Sequence, residues 1–231
     1  MFWILILFFV LAAFVVLFGY TTLRLTPRRV EAKQHIACVG DSVTYGCTLP
    51  IFFMGRYPAL LQKLLGPDIQ VTAFAVNDRT LQSTGNKPYR RERAFEQSKA
   101  FLPDTVVILL GTNDSKDVNW ISDDEFCRQY RELIDEYRML PSSPRILVCT
   151  PPCAFKPINR FFYITNDAKL ERVPVIADLI RSVAREMGLE VVDLYTLTVG
   201  RRELFGPDGL HPNAGGAKMI ADTVYRALKH Q

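Results

Sequence analysis

Histidine is scarce in this sequence. There are three in 231 residues, His35, His211 and His230, so any base that must titrate near neutral pH has to be drawn from them. Cysteine provides no framework. The five cysteines are an odd number, contain no C-x-x-C pair and have no histidine beside Cys149 and Cys153, so neither a zinc site nor a dithiol motif is supported. All five read as small core hydrophobes, and Cys38 and Cys149 fall in apparent core strands. The sequence has no H-E-x-x-H, no Walker A motif and no G-x-G-x-x-G, so no metal and no organic cofactor is indicated. It also lacks the G-x-S-x-G elbow of the α/β-hydrolase fold.

Charge is missing from the first 23 residues, and a charge excess is missing from most of the rest. The net charge is +4. Arg24, Arg28, Arg29 and Lys33 against Glu31 supply +3 of it, which leaves a nearly neutral remainder with no broad basic face for nucleic acid. Phe2 to Tyr20 is an uninterrupted run of 19 residues with no charged side chain. As a helix it would be about 28 Å long, close to the roughly 30 Å hydrocarbon core of a bilayer. A cleaved signal peptide is the competing reading. It fits less well, because there is no basic n-region, the run exceeds the usual length of about 7–15 residues and no A-x-A-like site follows. The expectation is a single-pass membrane anchor over residues 1–23, a basic juxtamembrane linker over 24–33 and a globular domain over 34–231. Positive charge placed only after the apolar run favours a cytoplasmic side for that domain.

The remainder has an ordinary composition, 48% hydrophobic and 23% charged over the whole chain, sufficient for one domain with a real core. Apolar runs alternate between strand and helix character. His35–Val39, Ile69–Val76, Thr105–Leu110, Arg145–Cys149 and Glu190–Leu194 read as strands. Tyr57–Leu65, Glu92–Phe101, Ser122–Leu140, Val173–Met187 and Ala214–Lys229 read as helices. Strands alternating with helices imply a parallel sheet covered on both faces, a three-layer α/β domain.

In such sheets ligands bind at the carboxyl ends of the strands. The segments expected there are Gly40-Asp41-Ser42, Asn77-Asp78-Arg79-Thr80, Gly111-Thr112-Asn113-Asp114, Thr150-Pro151-Pro152 and Asp208-Gly209-Leu210-His211-Pro212-Asn213. His35 starts a strand, at the wrong end of the sheet, and His230 is the penultimate residue, so His211 is the histidine placed for general-base work. Asp208, three residues earlier across a glycine, could reach one ring nitrogen; the pair could equally be an Asp-Gly turn capping the last helix. Ser42 follows the first strand, where a nucleophilic hydroxyl and a helix-terminal N–H would both be useful, or where a serine merely caps a helix. Asn113 could donate to a developing oxyanion or serve as a turn residue.

The segments Gly40-Asp41-Ser42-Val43-Thr44-Tyr45-Gly46, Gly111-Thr112-Asn113-Asp114 and Asp208-Gly209-Leu210-His211-Pro212-Asn213 resemble blocks I, III and V of the SGNH (GDSL-type) hydrolases, from about Gln34 to Leu228. Phe74–Thr80, Gly85–Tyr89, Ser115-Lys116 and Asn119-Trp120 resemble the branch of bacterial acetylesterases of sugars. The resemblance implies a flavodoxin-like sheet, Ser42 as nucleophile, His211 as base and Asp208 as its orienter. It also implies an oxyanion hole from the backbone N–H groups of Ser42 and of the block II residue, with the Asn113 side chain. Block II departs from the pattern: Ala75 and Asp78 stand at its two glycine positions. Asp78 tolerates left-handed geometry, but its carboxylate is unfavourable beside an oxyanion unless it is paired, and Arg79 is the expected partner. The expected function is hydrolysis of short acyl esters, acetyl above all, on carbohydrates. A lysophospholipase or thioesterase, and a non-catalytic glycan-binding domain, are the alternatives. The apolar stretch Leu49–Met54, beside the site, could line an acyl pocket, touch the membrane or simply pack under its own loop, and the connection Phe155–Leu170 is expected to shape substrate access.

Overall fold

The computed structural model describes residues 28–47, 49, 55–158 and 167–229. The expected anchor over residues 1–23 and most of the apolar stretch Leu49–Met54 lie outside the described residues. Among the described residues no helix is long and apolar enough to cross a membrane.

Five strands form one parallel sheet: β1 (Gln34–Gly40), β2 (Ile69–Ala75), β3 (Thr105–Leu109), β4 (Arg145–Cys149) and β5 (Glu190–Val192), in the order β2-β1-β3-β4-β5. Each strand is apolar at successive positions because both faces are covered. Ala37 and Val39 of β1, Val106 and Ile108 of β3, and Ile146 and Val148 of β4 pack on one side. Their covering helices are α3 (Arg93–Ala100), α4 (Asp123–Arg138) and α5 (Arg172–Glu186). Ile36, Cys38, Val107, Leu109, Leu147 and Cys149 face the opposite side, against α2 (Tyr57–Leu65) and α7 (Ala214–Lys229). Among the described residues there are also two short helices, α1 (Ser42–Tyr45) and α6 (Leu194–Thr198).

This strand order is the flavodoxin-like one, with its topological switch between β1 and β3. The connections leaving those two strands turn to opposite faces and open a crevice above their carboxyl ends. Ser42 follows β1 and Asn113 follows β3, so the two candidate residues flank that crevice.

Local signals explain most element ends. Ser122 caps α4 by accepting from Glu125 N at 3.2 Å, as its capping-box pattern predicts. The last strand is shorter than expected. Asp193 accepts from Thr196 N at 3.2 Å and starts α6, so Leu194 belongs to a helix. Residues 28–33, read as linker, lie against the base of the domain. Arg29 donates to Phe101 O and Leu102 O, both at 3.0 Å, Val30 N to Gln70 Oε1 at 2.9 Å and Lys33 N to Asp68 O at 2.8 Å.

The expectation that all five cysteines are core hydrophobes is corrected in part. Cys38 and Cys149 are buried, Cys127 and Cys153 are half-buried, and Cys47 is exposed; all are free thiols. Cys47 follows Gly46, whose left-handed φ of 80° ends α1, and the chain there has left the core for the rim.

Candidate active site

Gly40 ends β1 and turns the chain into α1. A Cβ there would lie 2.0 Å from Thr44 Oγ1 and 2.7 Å from Leu109 O, so only glycine lets this turn pass so close to β3 and to its own helix. Asp41, not Ser42, caps α1, accepting from Val43 N at 2.9 Å. The Ser42 hydroxyl is thereby left free for another partner.

That partner is His211. Its Nε2 lies 2.8 Å from Ser42 Oγ and its Nδ1 lies 2.6 Å from Asp208 Oδ2. The arrangement suits a neutral imidazole that donates from Nδ1 to the carboxylate and accepts the serine proton at Nε2. Asp208 Oδ1 accepts from Leu210 N and His211 N, both at 3.0 Å, which fixes the carboxylate relative to the ring. Helix α7 is capped elsewhere, by Asn213 Oδ1 accepting from Gly215 N at 2.9 Å and Gly216 N at 3.1 Å. The turn depends on Gly209, where φ is +72° and a Cβ would meet Phe155 O at 2.3 Å.

The electrostatics follow from burial and pairing. Burial works against a charged His211, but the Asp208 carboxylate and the Cys47 sulfur outweigh it and raise the imidazole pKa to about 10. Burial also works against an ionised Asp208, and its bonds from His211 and Leu210 overcome this and hold its carboxyl below the usual range. Asp41 is almost fully buried. Burial pushes it up to about 7, against the Val43 N–H bond and the nearby His211.

The third group of donors surrounds the same crevice. Asp78 has φ of 63°, the left-handed conformation its glycine-like position requires. Neither its N–H nor that of Ser42, the first residue of α1, donates to an acceptor among the described residues. The Asn113 Nδ2 group donates to Arg79 O at 3.1 Å and to Asp41 Oδ2 at 3.3 Å. Both amide hydrogens are thus engaged, and an oxyanion bound here would have to take over one of these bonds, the longer being that to Asp41.

The expected partnership of Asp78 with Arg79 is corrected. Arg79 Nε donates to Glu92 Oε1 at 2.6 Å. The Asp78 carboxylate instead accepts from Lys116 Nζ at 2.6 Å and pairs with Lys87. Burial opposes its ionisation, but the two ammonium groups hold its carboxyl below the ordinary range. Arg79 Nη1 donates to Asn77 O at 2.8 Å, while the Arg79 carbonyl receives the Asn113 amide.

Asp41, Asp114, Lys87 and Lys116 have no individual role that the motifs assign, and Cys47, expected in the core, stands beside His211 instead. Asp114 is fully buried and accepts from Leu81 N at 2.9 Å and Gln82 N at 2.8 Å, pinning the Asp78 turn from the β3 side. Burial raises its pKa to about 6 against those two bonds. Its place beside Asn113 was the available signal. Nothing local links Lys87 or Lys116 to Asp78.

Comparison with known proteins follows the same lines. The model of the GDSL-like lipase/acylhydrolase family matches residues 38–219. The chain is 35% identical over 226 residues to an acetylxylan esterase of Xylanibacter ruminicola, the match covering 90% of this chain and 45% of that protein. The chain therefore spans about half the length of this curated relative. A carbohydrate acetylesterase family member from Sinorhizobium meliloti superposes with a TM-score of 0.68 at 23% identity, covering 85% of this chain and 97% of that one. The inhibitor-bound aryl esterase of M. smegmatis gives a TM-score of 0.69 at 19% identity, covering 85% of this chain and 98% of that one. These two likenesses show the fold.

Proposed function

The chain belongs to the GDSL-like lipase/acylhydrolase family, and on that premise we propose that it is a serine esterase removing short acyl groups, acetyl above all, from carbohydrates. The observation that carries the reading is the unbroken line from Asp208 through His211 to the Ser42 hydroxyl, with contacts of 2.6 and 2.8 Å. The identity to an acetylxylan esterase supports the acyl group and the substrate class.

Each step has a named group. Ser42 Oγ attacks the ester carbonyl as His211 Nε2 takes its proton, and Asp208 stabilises the imidazolium without itself being protonated. The negative oxygen of the tetrahedral intermediate is received by the N–H groups of Ser42 and Asp78 and by Asn113 Nδ2. Such donors count because they are fixed before charge develops. His211 returns the proton to the departing sugar hydroxyl, leaving an acetyl-serine. Water then repeats the sequence, activated by the same imidazole, and releases acetate and free Ser42.

Residues 1–23 are proposed as a membrane anchor, on the strength of the uncharged run Phe2–Tyr20, with the cytoplasmic side favoured by the following basic cluster. Residues 28–33 sit at the base of the sheet, so the crevice would open away from the bilayer.

A fluorophosphonate probe and a series of 4-nitrophenyl esters test the assignment. Labelling at Ser42 and a preference for acetate over octanoate are expected. Absence of labelling would leave a glycan-binding domain, and a preference for octanoate would point to a lysophospholipase or thioesterase.

A further inference from the structure

A cavity of about 460 Å³ is lined by Asp117, Val118, Pro157 and residues 167–170. Its volume falls within the range of about 300–1,000 Å³ usual for small-ligand sites. One wall is Pro157. Its neighbours are bound to the loop that carries Asp208, Phe155 N to Gly209 O at 2.8 Å and Ile158 N to Pro207 O at 3.0 Å. Asp117 and Val118, shortly after the turn that carries Asn113, also line it. The cavity is therefore lined by segments that adjoin the two loops carrying His211 and Asn113.

A single ammonium group links it to the reacting end. Lys116 Nζ binds Asp78 Oδ1 at 2.6 Å and Asp167 Oδ1, in the cavity wall, at 3.0 Å. The lining is amphipathic. Val118, Pro157 and Leu170 give an apolar surface, and Val118 is 65% exposed. Asp117, Asp167 and Lys169 provide acceptors and a donor, with Lys169 and Arg172 holding the Asp117 carboxylate at 2.9 and 3.0 Å. Opposite charges pair off around the cavity, which removes the bias toward a charged ligand. Apolar C–H faces and hydroxyl edges on one small ring match the two kinds of surface.

We propose that this cavity is the leaving-group subsite, holding a neutral pyranose ring of the acetylated carbohydrate with its hydroxyls on Asp117, Asp167 and Lys169 and its C–H face on Val118 and Pro157. The inference rests on the esterase reading above and adds the place where the sugar is recognised.

Val118→Trp fills the cavity from an exposed position. The ratio of kcat/KM on acetylated xylo-oligosaccharide to kcat/KM on 4-nitrophenyl acetate is expected to fall at least tenfold, because the small ester makes no use of a sugar subsite. Met139→Trp, on a distant exposed position, should leave the ratio unchanged. Binding is read separately by calorimetry with unacetylated xylo-oligosaccharide and the Ser42→Ala protein. Binding is expected there and should weaken at least tenfold when Val118→Trp is added. An unchanged ratio with unchanged binding would overturn the subsite. Sugar binding that depends on Val118, in a protein that hydrolyses no ester, would instead overturn the esterase reading and leave the subsite standing.

Discussion

Two histidine–aspartate pairs stand at opposite ends of the same sheet. At the carboxyl end His211 Nδ1 meets Asp208 at 2.6 Å and Nε2 meets the Ser42 hydroxyl at 2.8 Å. At the amino end His35 Nδ1 lies 3.2 Å from Asp104 Oδ2 and 3.1 Å from Arg29 Nη2, and Nε2 lies 3.0 Å from Val30 O. The residue types are the same, but the available atoms differ. Both nitrogens of His35 are spent on the strap of residues 28–33 and its surroundings, so this ring holds chain segments together. His211 has one nitrogen on a carboxylate and the other on a hydroxyl at a crevice, so its proton can move. A buried His–Asp pair therefore indicates chemistry only when the second ring nitrogen faces a group that can react.

The largest expected break in this comparison comes from exchanging the two imidazoles for amides. His211→Gln should lower kcat on 4-nitrophenyl acetate by about six powers of ten, since a lost triad histidine leaves only binding and oxyanion stabilisation. His35→Gln should keep kcat within about twofold and lose about 1–3 kcal/mol of stability in denaturant unfolding, the cost of buried groups left without partners. Comparable losses of kcat in the two variants would remove the distinction.

A smaller effect belongs to Asn113. Asn113→Ala should lower kcat by about 10²–10³ with little change in KM, as expected for a donor used only when charge develops. A fall below tenfold would mean that the bonds to Arg79 O and Asp41 hold the amide too firmly to serve, leaving Ser42 N–H and Asp78 N–H as the working donors.

The pH profile sharpens the contrast further. As the proposed base, His211 must be neutral to work, so activity should rise with pH along a limb centred above the ordinary histidine value of about 6.5. Its direction follows from the raised pKa, about 10 with Asp208 and Cys47 as neighbours. Asp208→Asn should move the limb down, Cys47→Ala should move it down less, and His35→Gln should leave it in place. The same shift has a stability consequence. The raised pKa of His211 contributes stability that is fully present below about pH 6.5 and is lost as pH rises through about 10. A limb unmoved by Asp208→Asn would assign the ionisation to another group.

The smallest expected change is at Asp78. Lys87 and Lys116 already compensate its carboxylate, so Asp78→Asn should raise kcat by less than about tenfold, equivalent to under about 1.4 kcal/mol in the barrier. It should also lower thermal stability slightly, because two ammonium groups lose their partner. A clear loss of kcat would show that the Lys87–Asp78–Lys116 contacts hold the oxyanion turn in position.

The alternation of apolar strands with amphipathic helices was sufficient to predict a covered parallel sheet, because a strand buried on both faces must be apolar at consecutive positions. Arg145–Cys149 and Ala214–Lys229 form with the bounds the pattern implies. The motif residues could also be read locally: the short polar turns after β1 and β3, and the turn ahead of α7, carry Ser42, Asn113, Asp208 and His211. What local pattern left open was which role each of them plays. Ser42 could have been a helix cap until Asp41 was found in that position, and Asp208 could have capped α7 until Asn213 was found there. The partners of Asp78 were beyond sequence reasoning, since Lys116 lies 38 positions away and only the meeting of two loops brings its ammonium to that carboxylate. Short-range sterics and burial fix elements and turns within a few residues. The assignment of a hydrogen to one acceptor among several depends on distances between segments far apart in the chain, and these are set only when the sheet and its two helical layers have packed.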